Sequence, residues 1–232
     1  MTSRPSGRNL AIVAVLAALT LSGCGEAGPG VAAKVGDETV TVSDVDRLTD
    51  GYCKALEPQI TAQGQVVPMR LVRTFVAGSL TLHAAAQQLA DATGITQPDG
   101  YTDEVKRVET QAEGLPAAHR DEFVEVGKAR VFVTALERQI GGQLLLNEGN
   151  PSASDDEKVN RGREELVVWL GEHGVDINPR YGFAIRDGNI VDVANDTSYP
   201  LSADAVAAGK FNASTGPDQT YSASLPTSQR CG

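Results

Sequence analysis

Val31-Ala-Ala-Lys-Val-Gly-Asp-Glu-Thr-Val-Thr-Val-Ser-Asp-Val-Asp46 is the stretch from which the fold is read. Val31–Val35 and Thr39–Val42 are short runs rich in valine and threonine on either side of Gly36-Asp37, the composition of two strands around a turn. Ser43 stands where a helix N-cap belongs. Asp46 falls at the third helical position, where a carboxylate favours the free N–H groups of the first turn. The helix that follows carries Val45, Leu48, Tyr52 and Leu56, and it is expected to stop before Pro58.

Downstream, the apolar period is that of helices. Met69, Val72, Val76 and Leu80 mark a second helix from Pro68 to about Ala92, with Gly94 as a left-handed terminus. A third, polar helix covers Tyr101 to Ala112 and ends at Gly114-Leu115-Pro116. Phe123, Val126, Val133, Leu136, Ile140 and Leu144 lie on one face of a long fourth helix, from about Ala118 to Leu146. Ser154-Asp155-Asp156-Glu157 reads as a capping box opening a fifth helix, which ends at His173-Gly174. The period then changes to two. Val175–Asn178, Phe183–Ile185 and Ile190–Val193 are predicted strands, with Asp187-Gly188 as a hairpin turn. The expected fold is mainly α: a bundle of about five helices beside a small β element formed by the N-terminal hairpin and the late strands. From Asn195 to Gly232 the chain is rich in Ser, Thr, Ala and Pro and is expected to be irregular.

Toward the N-terminus the pattern is that of an export signal. Arg4 and Arg8, with no acid, precede an apolar run from Leu10 to Leu21. That run is too short for a stable bilayer span, which needs about 20 residues. Residues 1–23 therefore read as a cleaved signal peptide and 24–30 as a Gly/Pro linker to a domain over 31–194. Leu21-Ser22-Gly23-Cys24 resembles the lipobox of bacterial lipoproteins. The resemblance implies that Cys24 becomes the acylated N-terminus, tethered on the extracytoplasmic face of a membrane. Two or more acyl chains hold a protein stably, at about 0.8 kcal/mol per buried CH₂.

Compartment and charge then narrow the possibilities. Without residues 1–23 the chain has 18 basic and 30 acidic side chains, a net charge of −12 with histidine neutral. That balance argues against nucleic acid as a partner and against a polybasic membrane surface. With Cys24 used by lipid, Cys53 and Cys231 remain, and in an oxidising compartment such a pair most simply forms a disulfide. The alternative is two free thiols. Neither has a CxxC partner or a neighbouring histidine that would make it catalytic.

The opening hairpin and helix start resemble the N-terminal domain of the SurA family, which opens on a hairpin of the pattern V-A-x-V-N-G-x-x-I-T. Val175-Asp-Ile-Asn-Pro-Arg-Tyr-Gly182 is similar to the strand and N-P-R-Y-G turn at the far end of such domains. The likeness covers about residues 31–187. It implies a helical chaperone domain that binds unfolded or partly folded exported proteins, as in the PrsA-like foldases. Those foldases usually carry a parvulin prolyl isomerase before the last helix. Here only Asn147 to Ser154 separate the fourth and fifth helices, too little for a domain of at least about 50 residues. The expectation is a chaperone module that is not an enzyme, with no cofactor; the alternative is an envelope lipoprotein holding one fixed partner.

Other motifs have structural explanations. His83, His119 and His173 sit on three predicted helices without metal-ligand spacing. Asp155, Asp156 and Glu157 are accounted for by helix capping, and Trp169 by packing into the core. Asn195-Asp-Thr197 and Asn212-Ala-Ser214 are glycosylation triplets by pattern only. Aromatic residues make up 5% of the chain and there are two methionines, which is sparse for a promiscuous apolar binder.

Overall fold

The computed structural model describes residues 28–193, 202, 206, 211–212 and 216–232. The signal region 1–23, Cys24 and the Asn195 triplet lie outside them. β1 (Val31–Val35) and β2 (Glu38–Thr41) form the antiparallel hairpin expected from the valine and threonine runs. The helix start differs from the reading on Ser43. α1 (Val42–Ala62) is capped by Thr41, whose Oγ1 accepts a hydrogen bond from the Asp44 N–H at 3.1 Å. Thr41 ends the strand and its hydroxyl satisfies a first-turn N–H at once, so no residue is left to separate strand from helix. Nor does α1 stop at Pro58, which lies inside it. The last turn carries Ile60 onto an apolar cluster of Cys53, Val72 and Cys231. That packing holds the turn against a proline cost of about 3 kcal/mol.

After β3 (Val67–Pro68), α2 (Met69–Thr93) ends on Gly94 in the left-handed conformation, φ 73°, as predicted. α3 (Tyr101–Ala112), α4 (Arg120–Asn147) and α5 (Asp155–His173) complete the bundle. A short 3-10 turn, Ala117–His119, takes the place of the first predicted turn of the fourth helix. The capping box of α5 is present in both directions: Glu157 N–H donates to Ser154 Oγ, and Ser154 N–H donates to the Glu157 carboxylate at 2.7 Å. Leu48, Val76, Leu136 and Leu166, from α1, α2, α4 and α5, are fully buried in one continuous core with Val35 of β1. Each such side chain contributes about 2 kcal/mol by leaving water. Small residues on α2, among them Ala77, Ala85 and Ala90, are buried there too and allow the neighbouring elements close approach.

β4 (Val175–Ile177) pairs antiparallel with the free edge of β1, giving the sheet order β2-β1-β4. The two ends of the domain thus close on each other, and the chain is mainly helical with a small antiparallel element, as expected. β5 (Phe183–Arg186) and β6 (Asn189–Asp192) do not join that sheet; they form a separate hairpin. A 3-10 turn at Pro179–Tyr181 and Gly182 at φ 63° redirect the chain, burying Tyr181 and Phe183 in the core. The hairpin turns on Asp187 and Gly188, both with positive φ (50° and 69°), which suits an Asp-Gly pair.

Among the described residues of the C-terminal segment, short regular elements stand where composition predicts irregular chain. β7 (Phe211–Asn212) and β8 (Gly216–Pro217) pair, and α6 (Gln219–Ser224) follows. β9 (Arg230–Cys231) pairs with β3, and Cys231 bonds to Cys53 with Cα atoms 5.7 Å apart. Compositional reading fails here because tertiary anchoring, through one disulfide and one strand pair, sets the conformation.

Candidate functional site

α4 runs through the middle of the bundle, with Val126, Phe132, Val133, Leu136 and Ile140 buried. On the same helix Arg130 and Thr134 are exposed. With Glu137 they fall at helical spacings of four and three, one stripe along the helix. A cleft opens on each side of this stripe, and Arg130 and Thr134 line both. The first, of about 200 Å³, is bounded by Phe75 and Leu82 of α2, Arg163 of α5 and Ile190 of the β5–β6 hairpin. The second, of about 260 Å³, lies between α1, α3 and α4, against Tyr52, Arg107, Val108 and Phe123.

Three half-buried rings connect the clefts. Tyr52 stacks on Phe123 with centroids 5.5 Å apart, and its other neighbour is Phe75, also at 5.5 Å. The Arg130 guanidinium lies over the Phe75 ring, 5.0 Å from its centroid. Burial raises the Tyr52 hydroxyl pKa above its usual value, and the Arg130 charge opposes that shift. The phenol is therefore neutral and acts as a ring with one polar tip.

Glu137 is the unusual group. It is 3% exposed, inside the apolar face of α4, and Arg163 of α5 donates to its two oxygens from Nε and Nη2, each at 3.4 Å. Burial pushes its carboxyl above the ordinary glutamate range, while the Arg163 charge and hydrogen bonds pull the other way. The pair locks α5 to α4 beside the first cleft. A further cavity, of about 340 Å³, lies between the start of α2 and the C-terminal segment. Its two arginines are drawn to carboxylates: Arg73 stands 3.3 Å from Asp46 and Arg70 3.7 Å from Asp192.

The residues singled out from sequence are dispersed. Cys53 and Cys231 meet in the disulfide; Cys24 is outside the described residues. His83 of α2 packs edge-on against Phe132 at 5.1 Å, and burial lowers its pKa. His173 stacks on Trp169 at 4.1 Å and shares a hydrogen bond through Nδ1 with the Trp169 carbonyl. His119 sits in the 3-10 turn before α4. Trp169 is buried in the core, and Asp155, Asp156 and Glu157 occupy the first turn of α5. Among the described residues, no group of three or more His, Cys, Asp or Glu side chains is placed to hold a metal ion.

Sequence reading missed Arg130, Glu137 and Arg163. The available signal was the charge at Glu137 between Val133, Leu136 and Ile140, where an amphipathic helix should be apolar. In sequence, Tyr52 and Phe123 read as members of helical apolar faces, and nothing in their spacing shows a cleft between them.

Large apolar side chains that stand clearly in water, among the described residues, are Leu146, Val168 and Val206, on separate parts of the chain. No helix of the described residues is long and apolar enough to cross a membrane. Comparison with family models, curated proteins and solved structures finds no match to this chain.

Proposed function

We propose that this chain is an extracytoplasmic lipoprotein, tethered through Cys24, whose helical domain binds exported, non-native polypeptides without isomerising them. The observation that carries the reading is the pair of adjoining clefts floored by Phe75, Tyr52 and Phe123. Rings of this kind offer rigid apolar area to an extended segment, and the polar stripe of α4 offers hydrogen bonds to its backbone. Clefts of a few hundred Å³ suit a few side chains of a longer chain, not a whole folded partner. The Leu21-Ser22-Gly23-Cys24 signature and the Gly25–Gly30 spacer would hold such a site just outside a membrane. The test is a photo-crosslinking residue at Thr134, between the clefts, with one at exposed Val168 as control. Adducts with an unfolded exported protein at 134 and not at 168 fit the reading; equal or no adducts at 134 contradict it.

One observation favours a second reading. Among the described residues the exposed large apolar side chains, Leu146, Val168 and Val206, are scattered, which suits an envelope protein that holds one fixed partner better than a binder of many unfolded chains. Saturable binding of a single native protein, with no affinity for denatured chains, would establish that alternative.

A further inference from the structure

We infer that Arg130 receives the carboxylate of an acidic side chain inside an otherwise apolar segment that crosses from one cleft into the other. This rests on the proposed polypeptide-binding role and adds the chemistry of the segment bound. Charge complementarity is the ground for it. The other cations beside the clefts already have carboxylates: Arg163 has Glu137 at 3.4 Å, Arg107 has Glu104 at 2.8 Å, and Lys128 has Glu109 at 3.0 Å. Arg130 instead lies over the face of Phe75, and among the described residues no carboxylate is within ion-pairing distance of it. In a chain of net charge −10, where acids outnumber bases, a cation left without an acid in a cleft complements an anionic ligand.

Geometry agrees. A guanidinium held over a ring, 5.0 Å from its centroid, is placed beside the clefts before the ligand arrives and still has N–H donors to offer a planar acceptor. Because Arg130 lines both clefts, a segment occupying both has its middle residue at Arg130. The acid is therefore internal to the segment. Its neighbours can rest on Phe75, Leu82 and Ile190 to one side and on Tyr52 and Phe123 to the other, which favours apolar flanks, while Asn189 and Gln111, which also line the clefts, offer hydrogen bonds to the segment's backbone. Glu137 does not oppose this, since it lies about 10 Å farther along α4 and is matched by Arg163.

The experiment uses the full chain in lipid nanodiscs and dye-labelled nonapeptides with both ends blocked. Each has leucine and valine flanks and a central Glu, Gln or Lys, and fluorescence anisotropy reads Kd. The Glu peptide is expected to bind about tenfold more tightly than the Gln peptide, as a charge-assisted bond requires, with Lys weakest. Arg130→Gln should erase that preference while Lys106→Gln, on α3 and lining neither cleft, keeps it, and Arg130→Lys should retain only part of it. Arg130 is exposed, so an unchanged unfolding midpoint of Arg130→Gln is expected and is measured alongside. Equal affinity for Glu and Gln, or a preference that survives Arg130→Gln, overturns the inference while leaving polypeptide binding intact. If none of the three peptides binds, the inference and the polypeptide-binding reading both fall.

Discussion

Gly141 of α4 and Gly162 of α5 lie so close that a Cβ on Gly141 would fall 2.6 Å from the Gly162 nitrogen and would overlap the Lys158 carbonyl. A Cβ on Gly162 would likewise overlap the Glu137 carbonyl. The two helices approach at backbone distance here, one turn from the Glu137–Arg163 pair. This contact sets how α5 closes the first cleft.

Gly162→Ala should therefore destabilise the protein by about 2 to 3 kcal/mol, although alanine favours a helix by about 1 kcal/mol. Gly171→Ala is the control: it is exposed on the same helix with open space around it, and a gain of up to about 1 kcal/mol is expected. Urea unfolding midpoints of the two variants check the pair of signs.

The disulfide has a different consequence. Cys53 and Cys231 are 178 residues apart in sequence. Closing a loop of that length restricts the unfolded chain by about 5 kcal/mol in the chain-entropy model, an upper figure. Cys53→Ser, Cys231→Ser and the double variant should lose similar stability, because each removes the same cross-link. Denaturant titration with and without reductant measures this: the unsubstituted chain alone should respond to reductant.

The elements that sequence reading located well are those whose signals are local. Ser154 and Glu157 cap each other within one turn, Gly94 ends α2 by its own backbone freedom, and Asp187-Gly188 turns the hairpin. Where distant contacts decide, local signals misled. Pro58 remains helical because Ile60 packs near Cys231, and the segment before Cys231 orders because β3 pairs with it. The candidate site has the same character. Tyr52, Phe75 and Arg130 come from three helices, and no spacing within any one of them announces their meeting.

Glu137 should give stability a measurable pH dependence. Burial raises its native pKa above the ordinary 4.5, so in the window just above that value the folded chain keeps a proton that the unfolded chain has lost. Its contribution is full below pH 4.5 and is lost as pH rises through the native pKa. Glu137→Gln should remove this part of the decline, read as unfolding midpoints from about pH 4 to about pH 8. Arg163→Met leaves a buried carboxylate without its cation and should cost about 2 kcal/mol at neutral pH, the usual penalty being reduced because Arg163 is partly exposed. A variant as stable as the parent would show that the ion pair does not lock α5 to α4.

Cys24→Ala should move the protein from the membrane fraction to the soluble one, since residues 10–21 are too short for a stable span and the lipid is the anchor proposed. Fractionation of cells expressing each form, with mass measurement of the N-terminal peptide, checks both attachment and acylation. Retention of Cys24→Ala in the membrane would point to another anchor.

Aggregation suppression asks whether the domain holds non-native exported chains. A chemically unfolded exported protein is diluted into buffer with increasing amounts of residues 25–232, and light scattering is followed. Suppression is expected at near-equal molar ratio, weakened when Tyr52 and Phe75 are both replaced by alanine in a form that still unfolds cooperatively. Unchanged scattering in several-fold excess of the domain would contradict it.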